Sequence, residues 1–219
     1  MLTLPVIHHL DRETSISEAQ VARKCGADGV FLISHHGDDD EIVAVASELK
    51  VYMPEMKVGI NLLSRSPKQA CSAALEHELD MVWADHMGVN SSGVDPLGFW
   101  LAEFAKEHPK IKLFASVAFK YQAVDPNPSL AAAKAKQIGF IPTTSGSATG
   151  SAPDLSKISQ MSHAVNGDLA VASGMTPENI LGYAPFLAYV LVSTGISKDE
   201  YHIDEDKLCE FVGKSKTRP

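Results

Sequence analysis

Two charged residues close short apolar runs. Asp85 ends Met-Val-Trp-Ala-Asp (81–85), and Lys120 ends Phe-Ala-Ser-Val-Ala-Phe-Lys (114–120). Partial burial disfavours a charged carboxylate and raises its pKa toward the working range of a general base, so Asp85 is a candidate catalytic residue. An amine in the same setting can face a developing oxyanion or bind phosphate. With a depressed pKa it can also condense with a carbonyl, which makes Lys120 the second candidate. The alternative for both is a structural Asp85–Lys120 ion pair.

Histidines follow the first two apolar runs as His8-His9 and His35-His36, with Asp11 and Asp38 close by. Neighbouring residues on a strand point to opposite faces, so one member of each pair can enter a site. His9 is taken as the acid/base histidine. The spacing of zinc ligands, such as His-x-x-x-His, is missing. Among metals the chain leaves room for Mg²⁺, held transiently by Asp85 or Asp11 together with substrate phosphates. No cofactor is firmly implied.

Two glycine-containing segments carry the anion chemistry: Ala-Ser-Gly-Met-Thr-Pro-Glu-Asn (172–179) and Ser-Thr-Gly-Ile-Ser (193–197). Glycine admits a ligand close to the backbone, and amide N–H groups near a short helix can then point at a phosphate. Ser173, Gly174, Ser193, Thr194 and Gly195 are the expected phosphate contacts, with tight turns as the plainer reason for the glycines. The segment Thr143-Thr144-Ser145-Gly146-Ser147-Ala148-Thr149-Gly150-Ser151-Ala152-Pro153-Asp154 is rich in hydroxyls and small residues. It reads as a flexible cover that adds Thr143, Thr144, Ser145 and Thr149 to the binding set, or as a plain connector. Asn61 closes a further apolar run and completes the list.

The elements that position these residues recur with a rhythm. Eight apolar, β-branched runs are expected as strands: Pro5–Leu10, Gly29–Ser34, Val58–Leu63, Met81–Asp85, Lys112–Phe119, Phe140–Thr144, Leu169–Ser173 and Ala188–Ser193. They stand about 27 residues apart on average, the length of one strand, one helix and two loops. Apolar residues at 42, 45, 46 and 49 follow a helical period behind the acid run 38–41, which suits a helix N-terminus. A further helix is expected over Ser17–Lys24. Pro67, Pro96, Pro128, Pro153 and Pro177 stand where helices should begin. Strands apolar on both faces, alternating with helices, predict an α/β fold of eight parallel strands closed as a (β/α)₈ TIM barrel. Residues 1–219 are read as one domain. In such a barrel the site lies at the C-terminal strand ends, where all the candidates fall.

The 219 residues carry a net charge of −8 with 45% hydrophobic and 21% charged residues. An acidic chain without a basic stripe is a poor partner for nucleic acid or an anionic membrane. Lys214, Lys216 and Arg218 read as a solvated tail. Cys25, Cys71 and Cys209 are odd in number and widely spaced, so they read as free thiols in a reducing cytoplasm. Neither a signal peptide nor a membrane span is legible. The outer-helix residues Phe99, Trp100 and Tyr183 are assigned to packing against the sheet, with a homo-oligomer face as the alternative.

From about Val58 to Ser197 the sequence resembles the BtpA/SgcQ family of TIM-barrel proteins. The resemblance is carried by Val-Gly-Ile-Asn-Leu-Leu (58–63), Trp-Ala-Asp-His-Met-Gly-Val (83–89), Phe-Ala-Ser-Val-Ala-Phe-Lys (114–120), Thr-Ser-Gly-Ser-Ala-Thr-Gly-Ser-Ala-Pro-Asp-Leu (144–155) and Ala-Ser-Gly-Met-Thr-Pro-Glu-Asn (172–179). It implies an aldolase-type barrel with a phosphate site. One family member is linked to photosystem assembly and another lies among sugar-uptake genes. The chain departs from the family at residues 7–12, where a longer Pro/Gly-rich loop is usual, and at Asp85, where Asn is frequent. The expected function is therefore an enzyme acting on a sugar phosphate or phosphoribosyl compound by isomerase, aldolase-type or phosphoribosyltransferase chemistry. A non-catalytic assembly or ligand-sensing barrel is the alternative.

Overall fold

The computed structural model describes residues 1–217. Eight parallel strands follow one another around a closed barrel: β1 (Leu2–His8), β2 (Gly29–Ile33), β3 (Lys57–Asn61), β4 (Met81–Ala84), β5 (Lys112–Ser116), β6 (Ile141–Thr144), β7 (Ala170–Ala172) and β8 (Tyr189–Val192). The ring closes where β1 pairs with β8, from Leu2 opposite Tyr189 to Pro5 opposite Val192. Each expected run supplies one strand, so the (β/α)₈ expectation holds. A short hairpin, Val89–Asn90 with Gly93–Val94, interrupts the rhythm after β4 and was not expected.

The connecting helices are α1 (Arg12–Lys24), α2 (Asp39–Tyr52), α3 (Pro67–Glu76), α4 (Pro96–Glu107), α5 (Pro128–Gln137), α6 (Leu155–Ala164), α7 (Ile180–Tyr183) and α8 (Glu205–Lys216). Their starts follow from caps. Asp11 accepts from the Thr14 amide at 2.7 Å and starts α1 well before Ser17. Ser66 and Gln69 form a reciprocal capping box on α3. Pro67, Pro96 and Pro128 open their helices as expected. Pro153 and Pro177 do not. Asp154 caps α6 after Pro153, and Asn179 Oδ1 takes the Thr176 amide to close a turn around Pro177.

The core has two shells. Side chains pointing outward from the strands pack against the helices. Those pointing inward fill the barrel: Leu4, Val6, Phe31, Ile33, Met81, Trp83, Phe114, Ile141, Ala170, Ala172 and Leu191 among them. Phe114, Phe31, Trp83 and Phe119 form a series of edge-to-face contacts 5.2–6.0 Å apart. Trp83 Nε1 donates to Ser116 Oγ at 3.0 Å, which satisfies the indole N–H inside the plug.

Several expectations are corrected at the chain ends. Cys25 and Cys209 form a disulfide that joins the end of α1 to α8 across a sequence separation of 184; the spacing alone could not show that the barrel brings them together. Only Cys71 is a free, buried thiol among the described residues, its pKa pushed up to about 12 by burial. The inference of a reducing compartment from three thiols therefore loses its premise. Lys214 and Lys216 are not a frayed tail. They lie in α8, where Lys214 pairs with Glu210 and Lys216 reaches the Gly26 carbonyl and Asp28. Arg218 lies outside the described residues. Phe99 and Trp100 are exposed on α4 rather than packed on the sheet, while Tyr183 is partly covered and donates to the Pro153 carbonyl. Among the described residues no helix is long and apolar enough to cross a membrane.

A cross-link closing so long a loop restricts the unfolded chain. The double variant Cys25→Ser/Cys209→Ser should lose about 2–4 kcal/mol of unfolding free energy in a denaturant titration and should no longer respond to reductant. Identical midpoints for the oxidised and reduced native protein would show that the cross-link contributes nothing.

Candidate functional site

Above the aromatic plug the strand ends open into a cavity of about 370 Å³, lined by His8, His35, Trp83, Asp85, Lys120, Tyr121, Thr149, Ser173, Gly174, Met175, Ser193, Thr194 and Gly195 with apolar residues between them. A roomier groove of about 630 Å³ runs beside the mouth, between the hairpin and residues 122–126. Its carboxylates Asp95 and Asp125 are already committed to the amides of Gly98 and Ser91. The mouth cavity, where opposed charges and open amides converge, is the candidate site.

Asp85 and Lys120 follow adjacent strands. Burial pushes the Asp85 pKa up, against the lowering pull of His86, Lys120 and His35. The side chain itself is exposed at the rim, so water tempers this shift. Burial lowers the Lys120 pKa, while Tyr121 and Asp85 pull it back up. The two make no direct ion pair among the described residues, so the expected structural alternative is not formed. Lys120 Nζ instead donates to Thr149 Oγ1 at 3.0 Å.

The segment carrying Lys120 is tightly held. Ala118 and Tyr121 both adopt left-handed backbone conformations, at φ 46° and 64°, which cost non-glycine residues free energy and need support. Lys157, on α6, supplies it. Its ammonium donates to the carbonyls of Ala118 at 2.7 Å and Ser145 at 2.9 Å, and burial lowers its pKa. Thr144 Oγ1 also donates to the Ala118 carbonyl, and Ser145 Oγ accepts from the Lys120 amide at 2.8 Å. Gln122 bonds the Phe119 amide and the carbonyls of Ser116 and Asp85.

The loops after β6, β7 and β8 pack by bare backbone contact. A Cβ on Gly195 would overlap the Met175 carbonyl, and one on Gly174 would overlap the backbone of Ser151 and Ala152. Gly174 also requires its positive φ of 70°. The glycines are therefore needed for contact between loops, a role distinct from the expected approach to a ligand. Ser173 Oγ donates to the Ala148 carbonyl at 3.1 Å, so the loop after β6 is docked onto β7's end rather than loose. Among the described residues the amides of Gly174, Met175, Thr194 and Gly195 have no protein acceptor. They leave four donors at the ends of β7 and β8.

The sequence-derived residues divide accordingly. The structure brings Asp85, Lys120, Thr149, Ser173, Gly174, Ser193, Thr194 and Gly195 to one cavity. It puts Thr144 and Ser145 behind it as supports. Thr143 and Asn61 are buried; Thr143 Oγ1 bonds the Ile141 carbonyl, and Asn61 Nδ2 has no partner among the described residues. His9 is corrected. It faces the helices, with Nδ1 2.8 Å from Ser15 Oγ and Nε2 3.5 Å from the Glu41 carboxylate, and His8 takes the inward position. Asp11 is occupied as the α1 cap, and among the described residues no group of three or more His, Cys, Asp or Glu is placed to hold a metal. Sequence reasoning missed Lys157, Tyr121 and Trp83. A lysine on an outer helix gives no signal that it reaches the mouth.

No family model matches the sequence, and no curated protein matches it. Solved structures do match in fold. One described as native KDPGal has a TM-score of 0.70 at 12% identity, covering 98% of this chain and 94% of that one. The 3-keto-L-gulonate-6-phosphate decarboxylase from Vibrio cholerae has a TM-score of 0.69 at 12% identity, covering 98% and 96%. A phosphoribosyl anthranilate isomerase in complex with reduced 1-(o-carboxyphenylamino)-1-deoxyribulose 5-phosphate has a TM-score of 0.66 at 17% identity, covering 99% of both chains. At these identities the likeness is one of fold.

The Gly174 contact is directly testable. Gly174→Ala should cost about 1–3 kcal/mol, from left-handed strain and overlap with Ala152. It should also raise amide exchange selectively over residues 146–153. Unchanged exchange there would mean the loop is not held by this contact.

Proposed function

We propose that the chain is a single barrel enzyme acting on a small phosphorylated substrate, a sugar phosphate or phosphoribosyl compound. The observation that carries this reading is the set of four unpaired amides at 174–175 and 194–195, sharing one cavity with Asp85 and Lys120. Such amides suit the negative oxygens of a phosphate, with Ser173, Ser193 and Thr194 hydroxyls beside them. Barrels with phosphate-bearing ligands among the structural neighbours, and the BtpA/SgcQ resemblance, are consistent with it. With phosphate anchored at β7 and β8, the carbon chain crosses the mouth toward β4, where Asp85 stands.

The chemistry that fits is proton transfer next to a carbonyl, the step common to isomerisation and aldol cleavage. Asp85, its pKa raised by burial, takes the proton. Lys120, held by Thr149 and the Lys157-braced loop, faces the developing enolate oxygen. The amine pKa is lowered, which also brings carbinolamine formation within reach. Phosphoribosyl transfer finds less support, since only Asp85 among the cavity-lining residues could help hold Mg²⁺.

Two measurements test this. Inorganic phosphate should raise the melting temperature of the native protein by mass action. Gly195→Ala should abolish that shift because its Cβ overlaps the Met175 carbonyl between the two loops. A phosphate response equal in both proteins would place the anion elsewhere.

Enolisation can be read without knowing the product, as exchange of the carbon-bound hydrogen of ribulose 5-phosphate in deuterated water. Asp85→Asn should slow exchange about 10²- to 10⁴-fold while keeping the phosphate shift. In the native protein the rate should fall as pH drops through the Asp85 pKa. That pKa lies above the usual 3.8, so the acid limb is displaced upward. Exchange by Asp85→Asn at the native rate would remove Asp85 as the base.

A further inference from the structure

The proposed phosphate contacts and the Asp85–Lys120 pair account for the β7–β8 side and the β4–β5 side of the mouth and leave the two imidazoles at the ends of β1 and β2 unassigned. His8 inherits its inward position from Leu4 and Val6 on the same strand. Its Nδ1 is buried with no partner, which leaves Nε2 as the nitrogen open to the cavity. His35, from the loop after the adjacent strand β2, makes no hydrogen bond in the described structure, and its ring lies 5.3 Å from that of His8. Lys120 stands across from them, bonded through its ammonium only to Thr149 Oγ1.

These three groups sense one another. Burial lowers the His8 pKa first, His35 lowers it further, Glu200 raises it and Lys120 lowers it again. The carboxylates facing the cluster are Asp85, from β4's end, and Glu200, from the loop ahead of α8. Neither pairs directly with His8, His35 or Lys120 among the described residues. A chain of net charge −8 thus gathers three nitrogen donors in one cavity, none of them in a direct ion pair among the described residues.

We propose that the phosphorylated substrate carries a carboxylate at its other end, received by His8 and His35 beside the Lys120 ammonium that faces the enolate oxygen. This rests on the phosphate reading above. A carboxylate offers about four lone-pair sites and accepts hydrogen bonds from imidazole N–H groups as well as a charge-assisted bond from an ammonium. A single hydroxyl offers fewer acceptor sites and would leave part of these donors unsatisfied. The cavity, at about 370 Å³, lies near the small end of ligand sites, which suits a short substrate with its two anionic ends on opposite sides of the mouth.

Glycerol 3-phosphate and 3-phosphoglycerate form a matched pair: the same phosphate, with a carboxylate in place of an alcohol at the far end. Calorimetric titration of the native protein should show 3-phosphoglycerate binding at least about tenfold more tightly. His8→Asn should reduce that ratio to about threefold or less and leave glycerol 3-phosphate affinity unchanged. Should His8→Asn fold poorly, His35→Ala at the exposed rim gives the same test without disturbing the barrel. Equal affinities in the native protein, or a tenfold ratio surviving in the folded variants, would overturn the carboxylate. If glycerol 3-phosphate and inorganic phosphate both fail to bind, the phosphate reading falls and takes the carboxylate with it.

Discussion

Everything at the mouth depends on the hydrogen bonds that join β1 to β8. Once Leu2–Pro5 pairs with Tyr189–Val192, no barrel strand has a free edge, and every barrel strand must send alternate side chains inward and outward. The inward set is then confined to a cylinder that only apolar side chains fill well, and the edge-to-face series from Phe114 to Phe119 fills it. Polar groups have one place left to converge, beyond the C-terminal strand ends. His8, Asp85 and Ser193 are there because the pleat places them one step above Val6, Trp83 and Leu191. The chemistry of the site is thus a by-product of how the plug is built.

The loops above the plug are held by devices that cost the protein conformational freedom. Gly174 and Gly195 let backbone touch backbone, so the loops after β6, β7 and β8 behave as one packed layer. Lys157 adds a half-buried cation that gives two of its donors to the carbonyls of Ala118 and Ser145. A buried ammonium is tolerated when carbonyl oxygens replace its water. What it secures is the left-handed turn from Ala118 to Tyr121, and with it the direction of Lys120. Donors fixed before a ligand arrives need no reorganisation at the moment of reaction, which is how weak dipoles become effective in a cavity.

The strands were legible because their runs are apolar on both faces, a pattern that few structures besides a parallel sheet covered by helices produce. The hairpin at Val89–Val94 was not, since two residues per strand carry no periodicity. The two charged ends, Asp85 and Lys120, were legible for the same reason as the strands: a charge terminating an apolar run has to emerge somewhere. His8 and His9 could not be told apart, because Thr3-Leu4-Pro5-Val6-Ile7 is apolar at nearly every position. With both faces covered, the phase of the pleat cannot be read locally. The glycine-bearing segments are legible, but whether their empty Cβ space faces a ligand or another loop is decided by residues about 20 positions away. Lys157 and the Cys25–Cys209 pair share that difficulty, as each acts on a partner the chain reaches only after wrapping the barrel.

The cross-link between α1 and α8 has a consequence for how the molecule comes apart. Together with Lys24–Glu205, Thr3–Ser215 and Lys216–Gly26 it seams α8 to the first strand, the first helix and the turn after it. Between Cys25 and Cys209 the chain is a covalent circle. One backbone scission at an exposed turn, such as Asn90–Gly93, opens that circle without releasing a fragment. The barrel would keep both pieces at an effective concentration set by its own architecture, so a nicked molecule stays a single molecule.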